Sequence, residues 1–376
     1  MQNINSTFSG GGVAEILSRM VPLLSQLGVD ARWNVIKGTE EFFQVTKKFH
    51  NALHGKQEKI TSKDFSLFME VSQANIKEME IQGDIIYVHD PQPVALVIRK
   101  KELGKKWIWR CHIDVSHPNQ EVWNFLQPFV VQYDAAVFSA PAFSHELPIR
   151  QFLISPSIDP LSDKNRELPR ETIDSVLAKY QIPQDKPIIT QVSRFDYLKD
   201  PVGVIQAFEM VRKSIDCRLV YAGGTATDDP ESDKVLAEVR EKTGNNPDIH
   251  ILLIPPGSDI EINALQRASA VIVQKSLGEG FGLTVSEALW KGKPVVASAV
   301  GGIPLQVQNK LTGLLSYGIA GTAYAIKQLL TNPDYARWLG NNAREHVRHN
   351  FLITRHIRDY LILFLAMEHP EEIIYL

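Results

Sequence analysis

Short apolar runs alternate with longer amphipathic stretches along almost the whole chain, and the alternation restarts after Pro156. In the first half the apolar runs are Asn3 to Ser6, Ala31 to Ile36, Asp84 to Asp90, Trp107 to Ile113, Ala135 to Ser139 and Gln151 to Ser155. In the second half they are Pro187 to Ser193, Arg218 to Gly224, Ile249 to Ile254, Ala270 to Gln274 and Pro294 to Ser298. Apolar runs of this kind separated by helix-length amphipathic segments predict parallel sheets covered by helices on both faces. The fold class is therefore α/β, with ligand-binding groups expected at the carboxyl ends of the strands. A chain of 376 residues suits two such domains. The stiff, proline-bounded Pro156-Ser157-Ile158-Asp159-Pro160 is the expected boundary. The first strand comes so close to its loop, Thr7 to Gly12, that it is expected to anchor that loop poorly.

One stretch concentrates the chemistry: Ser276 to Gly302, SLGEGFGLTVSEALWKGKPVVASAVGG. Gly278, Gly280 and Gly282 allow a tight loop, and a helix is expected from Leu283 to Lys291, stopped by Gly292. The start of such a helix offers unbonded N–H groups and the positive end of its dipole, which favour an anion such as phosphate. Glu279 lies in the loop, and Glu287 lies on a mostly apolar helix, where a carboxylate needs a bonding partner. Read alone, the stretch is equally a glycine-rich turn with carboxylates bonded to nearby backbone.

Other candidates sit at the ends of predicted strands. His89, Asp90, His112 and Asp114 do so in the first half, where each taken singly is also a plausible helix cap. In the second half Arg194 ends a buried strand and Lys199 follows in the loop, so the pair could converge on one anion. Taken out of context they are two surface cations.

Composition excludes several classes. The formal charge of −3 with interspersed signs leaves no basic stripe for nucleic acid. No apolar run approaches a membrane span, and no signal peptide is evident at the start. Two cysteines, Cys111 and Cys217, one in each half, fit a reduced cytoplasmic protein better than a disulfide framework. No DxD-like run lies near the central stretch, and neither HExxH nor a zinc-spaced Cys/His cluster occurs, so no metal cofactor is expected.

The spacing of Glu279 and Glu287 resembles the E-x7-E signature of the retaining glycosyltransferases of family 4. The surrounding GFGLTVSEALWKGKPVVASAVGGIP is similar to that family's nucleotide-sugar site almost without gaps. Within the family, NSTFSGGGVAEIL, VHDPQP and WRCHIDVS resemble the group that joins nucleotide-activated glucose to free glucose, and the likeness spans nearly the whole chain.

The resemblance implies a GT-B fold, with two Rossmann-like domains whose parallel sheets face each other across a cleft. The first would be residues 1–156, an acceptor domain, and the second residues 157–352, a nucleotide-sugar domain. Residues 353–376 would form a helix crossing back to the first domain. It implies the substrates UDP-glucose or ADP-glucose, glucose and trehalose, with no cofactor beyond them; a homodimer is compatible with it.

The same resemblance implies site roles. Arg194 and Lys199 match the family's diphosphate-binding cations, which would stabilise the leaving group without a metal. Glu279 with the backbone of Gly280, Phe281, Gly282 and Leu283 would hold the donor glucose, and Glu287 the ribose hydroxyls. Gly11 and Gly12 would approach the diphosphate, His112 would orient the reacting sugars, and Asp90, Arg110 and Asp114 would touch the acceptor. One departure falls at the linker, where the family's usual Pro-Asn-Gly-Val-Asp is Pro156-Ser157-Ile158-Asp159.

Other acceptors remain open, among them a sugar phosphate, phosphate itself or a lipid-linked sugar, as does a nucleotide-sugar binder without turnover. A glycoside hydrolase using Glu279 and Glu287 fits poorly. Eight residues of helical rise would separate them by ~12 Å, beyond the ~5–9.5 Å that glycosidic carboxylate pairs span.

Overall fold

The structure, a computed structural model, describes residues 1–9, 11–224 and 232–372. It divides into two compact units, Met1–Pro156 with Ile353–Leu376, and Ser157–Leu352. In chain order the first stretch comprises β1 (Gln2–Asn5), α1 (Gly12–Gln26), β2 (Arg32–Val35), α2 (Glu40–Leu53), α3 (Ser62–Glu78), β3 (Ile85–His89), α4 (Lys100–Leu103), β4 (Lys106–Cys111), α5 (Gln120–Val130), β5 (Ala135–Phe138) and β6 (Arg150–Leu153). Next come α6 (Arg170–Lys179), β7 (Ile188–Val192), α7 (Pro201–Arg212), β8 (Arg218–Gly223), α8 (Ser232–Thr243), β9 (Ile249–Leu253), α9 (Asp259–Ala268), β10 (Val271–Gln274), α10 (Leu283–Trp290), β11 (Val295–Ser298), α11 (Ile303–Gln306), β12 (Leu314–Ser316), α12 (Gly318–Thr331) and α13 (Pro333–Asn350). The last helix is α14 (Ile353–Glu368).

Each unit holds a six-stranded sheet, ordered β2-β1-β3-β4-β5-β6 in the first and β12-β11-β10-β7-β8-β9 in the second. All pairings between these strands are parallel. In both sheets the strand order reverses once, between β1 and β3 and between β7 and β10. At such a reversal the connections leave in opposite directions and open a crevice above the strand ends, where open α/β sheets place their ligands.

The first strand is better anchored than its position suggests. It pairs on both sides, with Arg32–Val35 and with Ile86–Val88, and Ile4 is fully buried. Its polar side chains are also tied in. Gln2 Nε2 donates to Asn34 Oδ1 and to the Glu80 carbonyl, each at 2.9 Å, and Asn5 Oδ1 accepts from Trp33 Nε1 at 2.8 Å. Gly10 of the following loop lies outside the described residues.

In the second unit one face of the sheet packs under α7, α8 and α12 through Phe208, Leu219, Val239 and Ile326. The other face meets α10 and α13 around Val285, Leu289, Ala343 and Val347, and α6 and α9 around Leu177 and Leu265. The chain after β3 forms a 3₁₀ turn, Val94–Arg99, that leads into α4. Helix α14 buries Ile353, His356, Ile357, Tyr360, Leu363, Ala366 and Met367, one stripe at helical spacing, and packs with the first unit against α1. Among the described residues no helix is long and apolar enough to cross a membrane.

Candidate active site

In the second unit the loops after β7 and β10 meet over the sheet reversal. Gln191, the one amide side chain of β7, fastens both: its Nε2 donates to the Lys199 carbonyl at 2.9 Å and its Oε1 accepts from Lys275 N at 3.1 Å. Leu277 N donates to the Leu198 carbonyl at 2.8 Å. This stitching brings Lys199 Nζ to 2.6 Å from Glu279 Oε2, with the two side chains 17% and 9% exposed. Ser276 Oγ donates to the same carboxylate oxygen at 3.2 Å. Lys199 and Glu279, named separately from the sequence, thus form one ion pair at the strand ends, shortly before α10.

The Glu279 loop is moulded against Gly301 and Gly302. Gly302 N donates to the Gly280 carbonyl at 3.1 Å. Gly301 has φ 53°, and a Cβ there would lie 1.6 Å from the Glu279 carbonyl oxygen. Only glycine permits that approach. Of the three loop glycines only Gly282, at φ 85°, needs the left-handed region, and it serves as the N-cap of α10. Phe281 is 5% exposed and its ring packs edge-on against Phe351, so this residue offers the loop its backbone rather than its ring.

Arg194 lies beside Asp196, its Nη2 3.7 Å from Oδ2, with its side chain 37% exposed. A third cation, Lys275, went unnoticed in the sequence. It is buried and paired with Asp200, which also caps α7 by accepting from Gly203 N at 3.0 Å. Glu287 departs from the expectation of a carboxylate presented to a ribose. It is 1% exposed, and its Oε2 lies 3.5 Å from Gln266 Nε2. On the buried side of α10 its carboxylate has almost no surface for a ligand.

The first unit's strand ends are built differently. Asp90 follows β3 with φ 64°, its Oδ1 accepting from His112 N at 2.7 Å and its carbonyl accepting from Trp109 Nε1 at 3.1 Å. The bond to His112 N joins the loops after β3 and β4. Burial pushes the Asp90 carboxyl up to about 7, against the opposing pull of that bond and of Arg110. His89 and His112 contact ring to ring, Nδ1 to Nε2, at 2.9 Å. Burial, assisted by the Arg110 charge, holds His89 down to about 3, and the same causes hold His112 well below its ordinary value.

Arg110 requires a correction. It is 0% exposed, with Nη2 donating to Ser139 Oγ at 3.1 Å, and its charge is felt by Tyr87 and by His356 and Tyr360 of α14. A side chain on that covered face has no surface to offer an acceptor. Asp114 closes a local turn, its Oδ1 accepting from Ser116 N at 2.9 Å and Ser116 Oγ at 2.6 Å. Gly11 is the N-cap residue of α1, and Gly12 is the first residue of that helix. Among the described residues no group of three His, Cys, Asp or Glu side chains converges to hold a metal.

Comparison with known proteins agrees with this architecture. Residues 3–145 match the family described as trehalose synthase, N-terminal domain, and residues 173–346 match glycosyl transferases group 1. The chain is 44% identical to the trehalose synthase of Thermococcus litoralis over 96% of its own length and 89% of that relative. It is 43% identical to the trehalose synthase of Rubrobacter xylanophilus, covering 97% of this chain and 90% of that one. Among solved structures, an α,α-trehalose-phosphate synthase (UDP-forming) from Burkholderia vietnamiensis superposes with a TM-score of 0.77 at 17% identity, covering 97% of this chain and 99% of that one. That likeness reports the fold. The two near-full-length relatives report more: the chain belongs to the trehalose synthase family, retaining glycosyltransferases of the GT-B fold engaged in trehalose-related glycosyl transfer.

Proposed function

We propose that the chain transfers glucose, with retention, from a nucleoside diphosphate glucose to free glucose, forming trehalose reversibly. The observation that carries this reading is the Lys199–Glu279 ion pair at the sheet reversal, next to the start of α10. There the diphosphate meets Lys199, Arg194 and the helix N-terminus, while Glu279 and the backbone of Gly280 to Leu283 hold the donor sugar. Each cation placed ~4 Å from the departing phosphate contributes ~4 kcal/mol at an intermediate dielectric, so no metal ion is needed. Glu287, on the buried side of α10, acts on the nucleotide by holding that helix in place.

The acceptor hydroxyl attacks the anomeric carbon as the bond to the phosphate oxygen breaks. Its proton passes to that departing oxygen, on the same face of the sugar, so configuration is kept without a covalent enzyme intermediate. In the first unit, His112 orients the sugars and Asp90 takes an acceptor hydroxyl. Both cysteines are free and buried, which supports a reducing, cytoplasmic setting.

The test is to incubate the purified chain, free of added metal, with UDP-glucose or ADP-glucose, with and without glucose. Trehalose should appear in step with nucleoside diphosphate, and only when glucose is present. Nucleotide-sugar binding with no trehalose would refute the acceptor assignment, and arms containing glucose phosphate or inorganic phosphate would then identify a replacement.

A further inference from the structure

The first unit contains a hydrogen-bonded line leading from the middle of its sheet to His112. Asn3, on β1, is 0% exposed, and its Nδ2 lies 3.2 Å from the Arg32 carbonyl oxygen. That oxygen can only accept, so the amide nitrogen of Asn3 must face it. The orientation of the side chain is thereby fixed, and its Oδ1 is turned to His89 Nε2 at 3.1 Å.

An amide oxygen accepts and never donates, so His89 Nε2 must carry a hydrogen. His89 is 1% exposed and beside the Arg110 charge, conditions that keep its ring neutral. A neutral imidazole has one hydrogen, so His89 Nδ1 is bare. Its partner 2.9 Å away, His112 Nε2, must therefore donate. The two rings lie nearly parallel, 17° between their planes, which limits how far His112 can turn. The backbone of His112 is fixed as well, by the bond from its N–H to Asp90.

We propose that Asn3 and His89 are positioning residues that hold His112 as the neutral tautomer protonated on Nε2. Its Nδ1 is then a bare acceptor, and among the described residues it takes no hydrogen bond. Such a nitrogen selects a hydroxyl, which can donate to it, and it cannot hand a proton to the departing phosphate. The ligand class for this atom is accordingly a sugar hydroxyl rather than a phosphate or carboxylate oxygen. The proposal rests on the reading of His112 as the residue that orients the reacting sugars.

The experiment uses the full chain with isotope-labelled histidine and records long-range proton–nitrogen correlation spectra, which distinguish the two imidazole tautomers. His89→Gln and His112→Gln assign the signals. His89 and His112 should both be neutral and protonated on Nε2. Asn3→Leu removes the fixed acceptor, so both rings should become tautomer mixtures. Transfer to glucose should fall about tenfold in kcat, the scale of one positioned hydrogen bond, while nucleotide affinity stays at the wild-type level.

A wild-type His112 protonated on Nδ1, or tautomers unmoved in Asn3→Leu, would overturn the relay itself. Tautomers that shift while transfer keeps its wild-type rate would instead overturn the reading of His112 as sugar-orienting. Far-ultraviolet circular dichroism and cooperative thermal unfolding, compared with wild type, report whether the variants are folded.

Discussion

The two units place polar residues at equivalent strand ends and treat their charge in opposite ways. In the first, desolvation moves three groups toward neutrality: His89 down to about 3, His112 also down, and Asp90 up to about 7. In the second, the corresponding loops set cations beside carboxylates, Lys199 with Glu279, Lys275 with Asp200 and Arg194 beside Asp196. A neutral, hydrogen-bonding surface suits a sugar, whose hydroxyls exchange donors and acceptors without a change of charge. A paired cation suits a diphosphate, which can take the cation over from its carboxylate. The difference teaches that one sheet topology can present either chemistry, according to whether counter-charges are built into the loops.

That contrast can be broken at several points. The largest effect is expected from Lys199→Ala. Loss of a cation facing the developing phosphate charge should lower turnover by 10²–10³-fold, ~3–4 kcal/mol, with a smaller loss in nucleotide affinity; steady-state kinetics and calorimetry separate the two. Arg194→Ala should follow in the same direction. Wild-type turnover in both would remove the charged half of the comparison.

Gly301→Ala is expected to cost on the order of 2–3 kcal/mol, since its Cβ would strike the Glu279 carbonyl from a left-handed backbone. Denaturant unfolding reads the loss, and weaker nucleotide-sugar binding should accompany it. His112→Ala should reduce transfer about 10²-fold while nucleotide binding is retained, and a large drop in nucleotide affinity would move His112 out of the sugar-orienting role.

The smallest effect sharpens the neutral half. Folding raises the Asp90 carboxyl from 3.8 to about 7, so the native state keeps this proton after the unfolded chain has lost it. The group's contribution to stability is full below the unfolded value, declines as pH rises through the interval, and is lost above the folded value. Asp90→Asn keeps the acceptor for His112 N, tolerates the left-handed backbone and cannot ionise. It should be more stable than wild type by on the order of 1–2 kcal/mol at about pH 8 and equal to it near pH 4, measured by urea unfolding at both values. Equal stability at both would show that Asp90 is charged in the native state.

Much of the architecture was legible because buried parallel strands and amphipathic helices follow different periods, and the chain alternates them in both halves. Strand β12 (Leu314–Ser316) and helix α11 (Ile303–Gln306) escaped notice because segments so short carry no period. The anchoring of β1 was underestimated for a related reason: its strength lies in Gln2 and Asn5, which look loop-like until their partners on β2 are known.

At the site, Glu279, Lys199 and Arg194 were visible through the family likeness, but the bond between Lys199 and Glu279 joins residues far apart in the chain. The signal available for the stitching was Gln191, a lone amide in an apolar strand. Arg110 and Glu287 misled because sequence shows that a charge sits near a strand end or on a helix, not which face it occupies.

The first unit is assembled from two stretches that leave the ribosome at different times. Its sheet and flanking helices are synthesised first, yet α14, which covers Tyr87 and packs on α1, emerges only after the whole second unit. During translation Arg110 and Tyr87 wait without their lid, so the half that appears first is the half that finishes last. A ribosome stalled before Ile353 would therefore release a chain with a complete second unit and an unfinished first one.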